Sequence, residues 1–172
     1  MKIAILGYSG SGKSTLARIM AEKYNIEALH FDTVQFLPDW EIRSLEQKQR
    51  ITKEFLDSHT EWVIDGNYSK LYFDRRMEEA DLIILMLFNR FSCLWRAYSR
   101  YVKYKNKTRP DMSEGCNEKF DFEFFKWIMY LGRTKDSREK YKRIISQYKE
   151  KTVVIRNQRQ LDRYIKDIEK NN

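Results

Sequence analysis

The chain contains the sequence Gly7-Tyr8-Ser9-Gly10-Ser11-Gly12-Lys13-Ser14, which matches the pattern GxxxxGK[ST] at every specified position and is followed by Thr15. Three of the six glycines in the chain lie within this stretch. Glycine permits a tight turn in which successive backbone N–H groups point at one anion. Lys13 and Ser14 can then contact a terminal phosphate and a magnesium ion. Residues 7–15 are therefore predicted to bind the phosphates of a nucleotide.

Short apolar runs alternate with helical patterns on both sides of this loop. Residues 2–6 predict a buried strand, and Lys13–Tyr24 predicts a helix. Further strands are predicted over residues 28–31, 62–64, 82–88 and 152–155. Further helices are predicted over residues 44–59, with Leu45, Phe55 and Leu56 buried, and over residues 158–169. Apolar strands that alternate with helices predict an α/β fold with a parallel sheet between two helical layers.

Length and composition restrict the class of protein. The 172 residues suit a single domain over residues 1–172, and 42% hydrophobic residues exclude a disordered chain. The longest apolar run has seven residues, 82–88, which is too short to cross a membrane. Two cysteines without a CxxC pair make a zinc site improbable and favour a reducing, cytoplasmic location.

The positive charge is concentrated in one internal segment. Residues 90–151 carry 17 Lys and Arg against 8 Asp and Glu, a net charge of +9, whereas the whole chain has +8. This segment contains no predicted strand, and its aromatic and aliphatic residues recur at helical spacing. We expect residues 89–151 to form a helical insertion over the carboxyl edge of the sheet. A polyphosphate or a nucleic acid is the expected partner of its positive charge.

The loop, the pattern of five strands and the length resemble the P-loop kinases of the adenylate kinase and shikimate kinase type. This resemblance covers most of the chain and implies a P-loop NTPase fold with strand order 2-3-1-4-5, together with ATP and Mg²⁺. Three stretches more narrowly resemble the bacterial DNA topology modulation proteins. They are His30-Phe31-Asp32, Trp62-Val63-Ile64-Asp65-Gly66-Asn67-Tyr68 and Thr108-Arg109-Pro110-Asp111-Met112-Ser113-Glu114-Gly115-Cys116.

Two acidic residues follow predicted strands, where open parallel sheets bind their ligands. Asp65 resembles the acid that follows strand three in nucleoside monophosphate kinases, which implies a water-mediated contact with Mg²⁺. Asp32 resembles the acid with which shikimate kinase-like enzymes hold or deprotonate an attacking hydroxyl. Residues close to them in sequence are expected to line the acceptor pocket, namely Gln35, Asn67, Trp40 and Tyr68.

The insertion provides candidate phosphate-binding arginines. Arg96, Arg100, Lys103 and Lys107 share one face of a predicted helix, and Leu94, Trp95, Tyr98, Tyr101 and Val102 are expected on its packed face. The Arg109-Pro110 pair resembles the lid of shikimate kinase. We expect Arg96 to bind nucleotide and Arg100 and Arg109 to act in catalysis from a lid that closes over the substrates. The resemblance also implies that Arg133 and Arg138 bind substrate phosphates.

These features predict an ATP-dependent kinase that transfers the γ-phosphoryl group of MgATP to a small hydroxyl or phosphate compound. The alternative is a nucleotide-regulated protein that binds nucleic acid and affects DNA topology, because aromatic residues lie among the basic ones. A GTPase is excluded, since Asn106-Lys107-Thr108-Arg109 has Arg where a guanine-binding motif needs Asp. No motif in the sequence specifies the acceptor or the oligomeric state.

Overall fold

The computed structural model describes residues 1–105, 107–109 and 111–170. Its five strands form one parallel sheet in the order β2-β3-β1-β4-β5. The strands are β1 (Lys2–Gly7), β2 (Ala28–His30), β3 (Trp62–Asp65), β4 (Leu82–Met86) and β5 (Thr152–Ile155). The helices are α1 (Lys13–Tyr24), α2 (Phe31–Gln35), α3 (Leu45–Ser58), α4 (Phe73–Glu79), α5 (Arg90–Lys103), α6 (Phe122–Met129), α7 (Lys135–Gln147) and α8 (Gln158–Lys170). The predicted strand order is therefore confirmed.

Both faces of the sheet are covered, which explains why its strands are continuous apolar runs. On one face Leu6 and Leu85 pack in a core cluster with Tyr141 of α7. On the other face Ile5 and Ile84 pack in a second cluster with helices α1 and α8. Within the described part of the chain, no helix is both long and apolar enough to cross a bilayer.

The register of the strands brings three chain segments to one edge. Asp65 at the end of β3 pairs with Ile5 of β1 and with His30 at the end of β2. Gly7 follows two residues after Ile5, at the end of β1. The carboxyl ends of β1, β2 and β3 therefore lie side by side, and the loops that follow them form a continuous surface.

Two predicted helical faces are wrong in part. Ser44 caps α3 by accepting a hydrogen bond from the Gln47 N–H, and Phe55 and Leu56 are buried as predicted, but Leu45 is 42% exposed because it begins the first turn. In α5, the side chains of Trp95, Tyr98 and Val102 are exposed instead of packed.

The packed face of α5 consists of small residues. Cys93 and Ala97 are fully buried. A Cβ atom built on Gly10 would lie 2.4 Å from the carbonyl oxygen of Cys93, so α5 lies directly against the phosphate loop. Small side chains permit this close approach, and the large aromatic residues of the helix are therefore left on its outer side.

The 89–151 insertion contains two structural parts. Helices α5 and α6 contact each other beside the phosphate loop. Helix α7 instead buries Tyr141 and Ile144 in the core, so it belongs to the layer that covers the sheet. The part that remains a candidate lid therefore ends near α6, before residue 151. Pro110 and Asn106, which the sequence places in that part, lie outside the described residues.

Candidate functional site

The loop over residues 7–15 turns from β1 into α1 at two glycines in the left-handed region. Gly10 has φ 78° and Gly12 has φ 93°. A φ in this region strains any residue with a side chain, and the Arg96 guanidinium lies directly against Gly12. The first N–H groups of α1 face the loop, and a helix N-terminus favours an anion. This backbone fits a phosphate group.

Lys13 and Ser14 lie where the sequence pattern predicts them. The Lys13 Nζ donates a hydrogen bond to the carbonyl oxygen of Tyr8 at 3.1 Å. Burial lowers the pKa of Lys13, although the carboxylates of Asp32 and Asp65 act in the opposite direction. The Ser14 hydroxyl donates to Oδ2 of Asp65 at 2.9 Å.

These two oxygen ligands suit Mg²⁺, which binds one or two protein oxygens and completes its shell with water and phosphate. No group of three His, Cys, Asp or Glu side chains that could hold a metal occurs among the described residues. A metal held by Ser14 and Asp65 would therefore take most of its ligands from a bound phosphate and from water.

His30 is a site residue that the sequence analysis did not assign. Its Nδ1 lies 2.5 Å from Oδ1 of Asp65, and its side chain lines the same cavity as the phosphate loop. Burial disfavours the imidazolium form, but the hydrogen bond and charge of Asp65, with Asp111 and Asp32 farther away, raise the pKa of His30. Asp65 is thereby held from two sides, by His30 and by Ser14. The pairing depends on the register of β2 and β3, which no local pattern in the sequence gives.

Asp32 lies one residue into α2 and faces the cavity. The Tyr68 hydroxyl donates to its Oδ1 at 3.0 Å. Burial, together with the negative charge of Asp32, raises the pKa of Tyr68, which therefore stays protonated as a donor. Trp40 lines the same region. These positions agree with the expected acceptor pocket.

The side chain of Asn67 binds the backbone of the phosphate loop, whereas the sequence analysis predicted a contact with the substrate. Its Oδ1 accepts from the Gly7 N–H at 3.0 Å, and its Nδ2 donates to the Gly7 carbonyl at 2.7 Å. The Tyr141 hydroxyl donates to the same Oδ1 at 3.3 Å, and the Lys140 Nζ donates to the Asn67 carbonyl at 2.9 Å. The amide has both of its ends engaged, so Asn67 positions Gly7, and it also lines the cavity as predicted for a residue of the acceptor pocket, a role that stays a prediction.

Three arginines of the insertion line the cavity, namely Arg96, Arg100 and Arg109. Arg96 lies against Gly12, stacks over the ring of Phe88 and donates to Oε1 of Gln158. Arg100 contacts Oε1 of Glu118 at 2.7 Å, and burial together with the neighbouring Arg109 lowers its pKa.

Arg109 differs from the other two arginines because it is almost fully buried. It contacts Asp111 at 2.9 Å and Glu118 at 2.7 Å. Its charge is thus matched by two carboxylates of its own loop. This arrangement stabilises the loop and engages two of the three guanidinium nitrogens with carboxylates, while Nη2 contacts the sulfur of Met112 at 3.5 Å.

Three other predicted site residues lie outside the cavity. Gln35 accepts a hydrogen bond from the Lys48 Nζ at 2.9 Å. Arg133 stacks 3.8 Å above the ring of Tyr8 and donates to the carbonyls of Phe88 and Ile128, so it supports the phosphate loop from behind. Arg138 is exposed on α7. We correct these predicted substrate contacts because none of the three side chains lines the cavity.

Trp127 is a second cavity residue that the sequence did not suggest. Its Nε1 donates to the Ser9 hydroxyl at 3.0 Å, so α6 is tied to the phosphate loop. The aromatic residues around Trp127 at helical spacing indicated a packed helix, and nothing in that pattern marks one tryptophan as part of the site. Its side chain is 48% exposed.

The cavity has a volume of about 1380 Å³. Pockets for a single small ligand are typically about 300–1,000 Å³. Residues that follow β2, such as Asp32, line one end of it, and Gln158, which follows β5 at the opposite side of the sheet, lines the other. The phosphate loop lies between them after the central strand. This space accommodates two molecules, one on each side of the loop.

Comparisons with known proteins support the fold. The chain is similar to the TT1252 protein of Thermus thermophilus, with a TM-score of 0.56 and 15% identity over 98% of this chain and 95% of that one. It is also similar to shikimate kinase from Bacteroides thetaiotaomicron, with a TM-score of 0.52 and 16% identity over 98% and 96% of the two chains. Neither a protein-family profile nor a curated protein sequence matches the chain. The chain therefore has the fold of the P-loop NTPases, as shikimate kinase has, and membership of the DNA topology modulation family remains a prediction.

Proposed function

We propose that this protein is an ATP-dependent kinase that transfers the γ-phosphoryl group of MgATP to a small molecule. The observation that supports this most is the shared cavity. It combines the phosphate loop with Lys13, the Ser14–Asp65 pair and the acid Asp32, which lies on the other side of the loop from Gln158. An ATP-binding protein without an acceptor would not need the additional space beside Asp32.

Each group has a definite task in this proposal. Lys13 moves from the Tyr8 carbonyl to the β- and γ-phosphates, and Arg96 and Arg100 stabilise the charge that spreads over the transferred group. Asp32 accepts the proton of the acceptor hydroxyl or holds that hydroxyl in line with the γ-phosphate. A bound Mg²⁺, held by Ser14 and by Asp65 through water, would neutralise charge on the phosphate oxygens.

Closure of the insertion is a further part of the proposal. Arg100 reaches the cavity from α5, and Glu118 joins it to the loop that precedes α6. Since Cys93 and Ala97 hold the first half of α5 against the phosphate loop, the movable part is the second half of α5 with Arg100 and the Glu118 that it contacts. Movement of this part across the cavity would bring the arginine to the γ-phosphate and exclude water.

Replacement of Lys13 tests the proposal. Lys13→Ala is expected to abolish transfer of label from γ-labelled ATP to a small-molecule extract while circular dichroism shows an unchanged fold. The physical reason is that Lys13 faces the cavity and, among the described residues, donates its hydrogen bond to a backbone carbonyl. Lys135→Ala, an exposed lysine on α7, is the matched control. Transfer by Lys13→Ala at the parent rate would exclude the kinase.

The alternative function, regulated binding of nucleic acid, has one observation in its favour. Trp95 is 69% and Phe91 is 68% exposed on the outer side of α5, where bases could stack. The arginines Arg96 and Arg100 of the same helix line the cavity, as does one side of Trp95. A surface that tracks a nucleic-acid backbone needs cations beside its aromatic side chains, so this function is not favoured. Binding to DNA with a steep salt dependence would support it.

A further inference from the structure

The end of the cavity next to Asp32, here called the acceptor end, is distinctive in how its charges are paired. It is lined by Asp32, Asp111, Arg109, Glu118 and Lys119, and by the apolar and aromatic side chains Phe36, Trp40, Tyr68 and Met112. The chemistry of these groups bears on the acceptor of the proposed kinase, and the inference below rests on that proposed function.

The guanidinium of Arg109 is the most buried cation at the acceptor end, and it is already neutralised. Its Nη1 contacts Asp111 at 2.9 Å, and its Nε contacts Oε2 of Glu118 at 2.7 Å. Both Arg109 and Glu118 are less than one-tenth exposed. An anionic substrate group would have to displace a buried carboxylate from this network, and that leaves a charge without a partner in a site of low dielectric constant.

Arg100 and His30 are also paired with carboxylates, with Glu118 and Asp65 respectively. Two lysines of the lining, Lys103 and Lys119, form no ion pair among the described residues. They are exposed at the rim, with their Nζ atoms 5.4 Å and 5.3 Å from the rings of Tyr104 and Trp40. Each of these cations at the acceptor end is thus either paired with a carboxylate of the protein or exposed to solvent.

Asp32 adds a negative charge that is not matched. Within the described part of the chain it has no ion-pair partner, and Tyr68 is its hydrogen-bond donor. Among the acids that raise the pKa of Lys13, Asp32 has the largest effect. Once Lys13 turns to the phosphates of ATP, the acceptor end keeps this negative charge, and it repels a second phosphate or carboxylate.

Aromatic side chains form the remaining wall of the acceptor end. The rings of Phe36 and Trp40 lie 5.1 Å apart at 69°. Trp40 has φ 66°, which is rare for a bulky residue, and its Nε1 donates to the Asn117 carbonyl at 3.2 Å. The backbone and this hydrogen bond hold the tryptophan ring in one orientation at the wall of the acceptor end.

We infer that the acceptor is an uncharged hydroxyl compound with an apolar or aromatic ring face. Its hydroxyl meets Asp32, and its ring packs against Trp40. In the transfer the hydroxyl oxygen forms a bond to the γ-phosphorus, the bond from that phosphorus to the β–γ bridging oxygen breaks, and ADP leaves. Asp32 takes up the hydroxyl proton, and the product is a phosphate monoester.

Separation of a cell extract by charge tests this inference. A small-molecule extract is passed over an anion exchanger at pH 8, and the flow-through and the retained fraction are each incubated with the protein, Mg²⁺ and γ-labelled ATP. Lys13→Ala serves as the blank. We expect about tenfold more label transfer with the flow-through. Transfer confined to the retained fraction overturns the inference and leaves the kinase standing, whereas absence of transfer from both fractions refutes the kinase and with it the inference.

A pair of variants at Trp40 sharpens the test. Trp40→Ala is expected to raise the KM for the acceptor fraction about tenfold with an unchanged KM for ATP, and Trp40→Phe to restore it. Equal kinetics in all three proteins would refute the ring-face contact.

Discussion

At the scale of single residues, Asn67 connects the phosphate loop to the rest of the molecule. Its amide makes two hydrogen bonds to the peptide groups of Gly7, and its own backbone carbonyl accepts from Lys140. Gly7 begins the turn of the loop, so its orientation sets the direction of the N–H groups that follow. The sequence motif contains the glycines but not the side chain that holds them in place.

Loss of this amide is expected to weaken the binding of MgATP. Asn67→Ala removes two hydrogen bonds to Gly7 and should raise the Kd by about tenfold, and Asn67→Asp should raise it further because it places a negative charge beside the phosphates. Titration calorimetry measures both. Gln49→Ala is the control, since that amide contacts the Lys70 carbonyl. An unchanged Kd in Asn67→Ala would contradict the positioning role.

At the scale of elements, α7 supports the site through a lysine with an unusual environment. Burial, together with the nearby positive charge of Arg76, lowers the pKa of Lys140 to about 8. Its Nζ donates to the Asn67 carbonyl and to the Ser69 hydroxyl, so the helix is joined to the loop after β3. The protonation state of Lys140 therefore affects how firmly α7 is held to the loop that carries Asn67.

The lowered pKa predicts a specific pH dependence of stability. Between the folded pKa of about 8 and the unfolded value of about 10.4, the unfolded chain binds more protons, so the contribution of Lys140 to the free energy of unfolding rises with pH. The difference in this free energy between the parent protein and Lys140→Met should increase across that window in urea titrations. Lys142→Met, an exposed neighbour on α7, should show no such trend. A flat difference for Lys140→Met would contradict the assignment.

The insertion contains arginines of two kinds, although the sequence gives them the same expected role. Arg100 is partly exposed to the cavity, whereas Arg109 is enclosed by its carboxylate partners. We expect Arg100→Ala to lower kcat by on the order of 10²-fold with little change in the Kd for ATP, because its contact forms mainly in the transition state. Arg109→Met should instead destabilise the protein by about 1–3 kcal/mol, since Asp111 and one oxygen of the buried Glu118 lose their contact while Arg100 still pairs with Glu118.

Urea unfolding and label-transfer kinetics separate these two effects. The double variant Arg109→Met/Asp111→Asn should recover part of the lost stability, because it removes the carboxylate that Arg109→Met deprives of its ion pair. A normal stability for Arg109→Met combined with a large loss of kcat would show that Arg109 acts on the transferred phosphate after all.

At the scale of the whole molecule, the cavity joins the sheet, α1 and the insertion, so a ligand that fills it should stabilise the entire fold. MgATP at about 100 times its Kd is expected to contribute about 2.7 kcal/mol, which corresponds to a rise in Tm of roughly 5–10 °C for a chain of this size. Thermal unfolding monitored by circular dichroism measures this shift. Lys13→Ala should show a much smaller rise, and a rise of equal size in that variant would contradict phosphate binding by the loop.

The positions of the strands and the phosphate loop follow from patterns among residues that are close in sequence, whereas the strand order was implied by the resemblance to P-loop kinases and is confirmed by the sheet. Periodicity and turn chemistry report such local contacts, and they also give the boundaries of most strands. The sequence pattern did not predict which face of α5 is buried. Its aromatic residues have the spacing of a buried face, but the helix packs through Cys93 and Ala97 because the phosphate loop approaches it closely.

The contacts that complete the site join residues far apart in the chain. His30 and Asp65 are 35 positions apart, and Gly7 and Asn67 are 60 positions apart. Such pairs depend on the order and register of the strands, which arise from packing of the whole sheet. The residue types capable of phosphate chemistry are therefore evident from the sequence. Which of them reach the cavity, and which, like Arg109 and Arg133, are held by other partners, follows only from the folded arrangement, because burial and charge pairing are properties of neighbours in space.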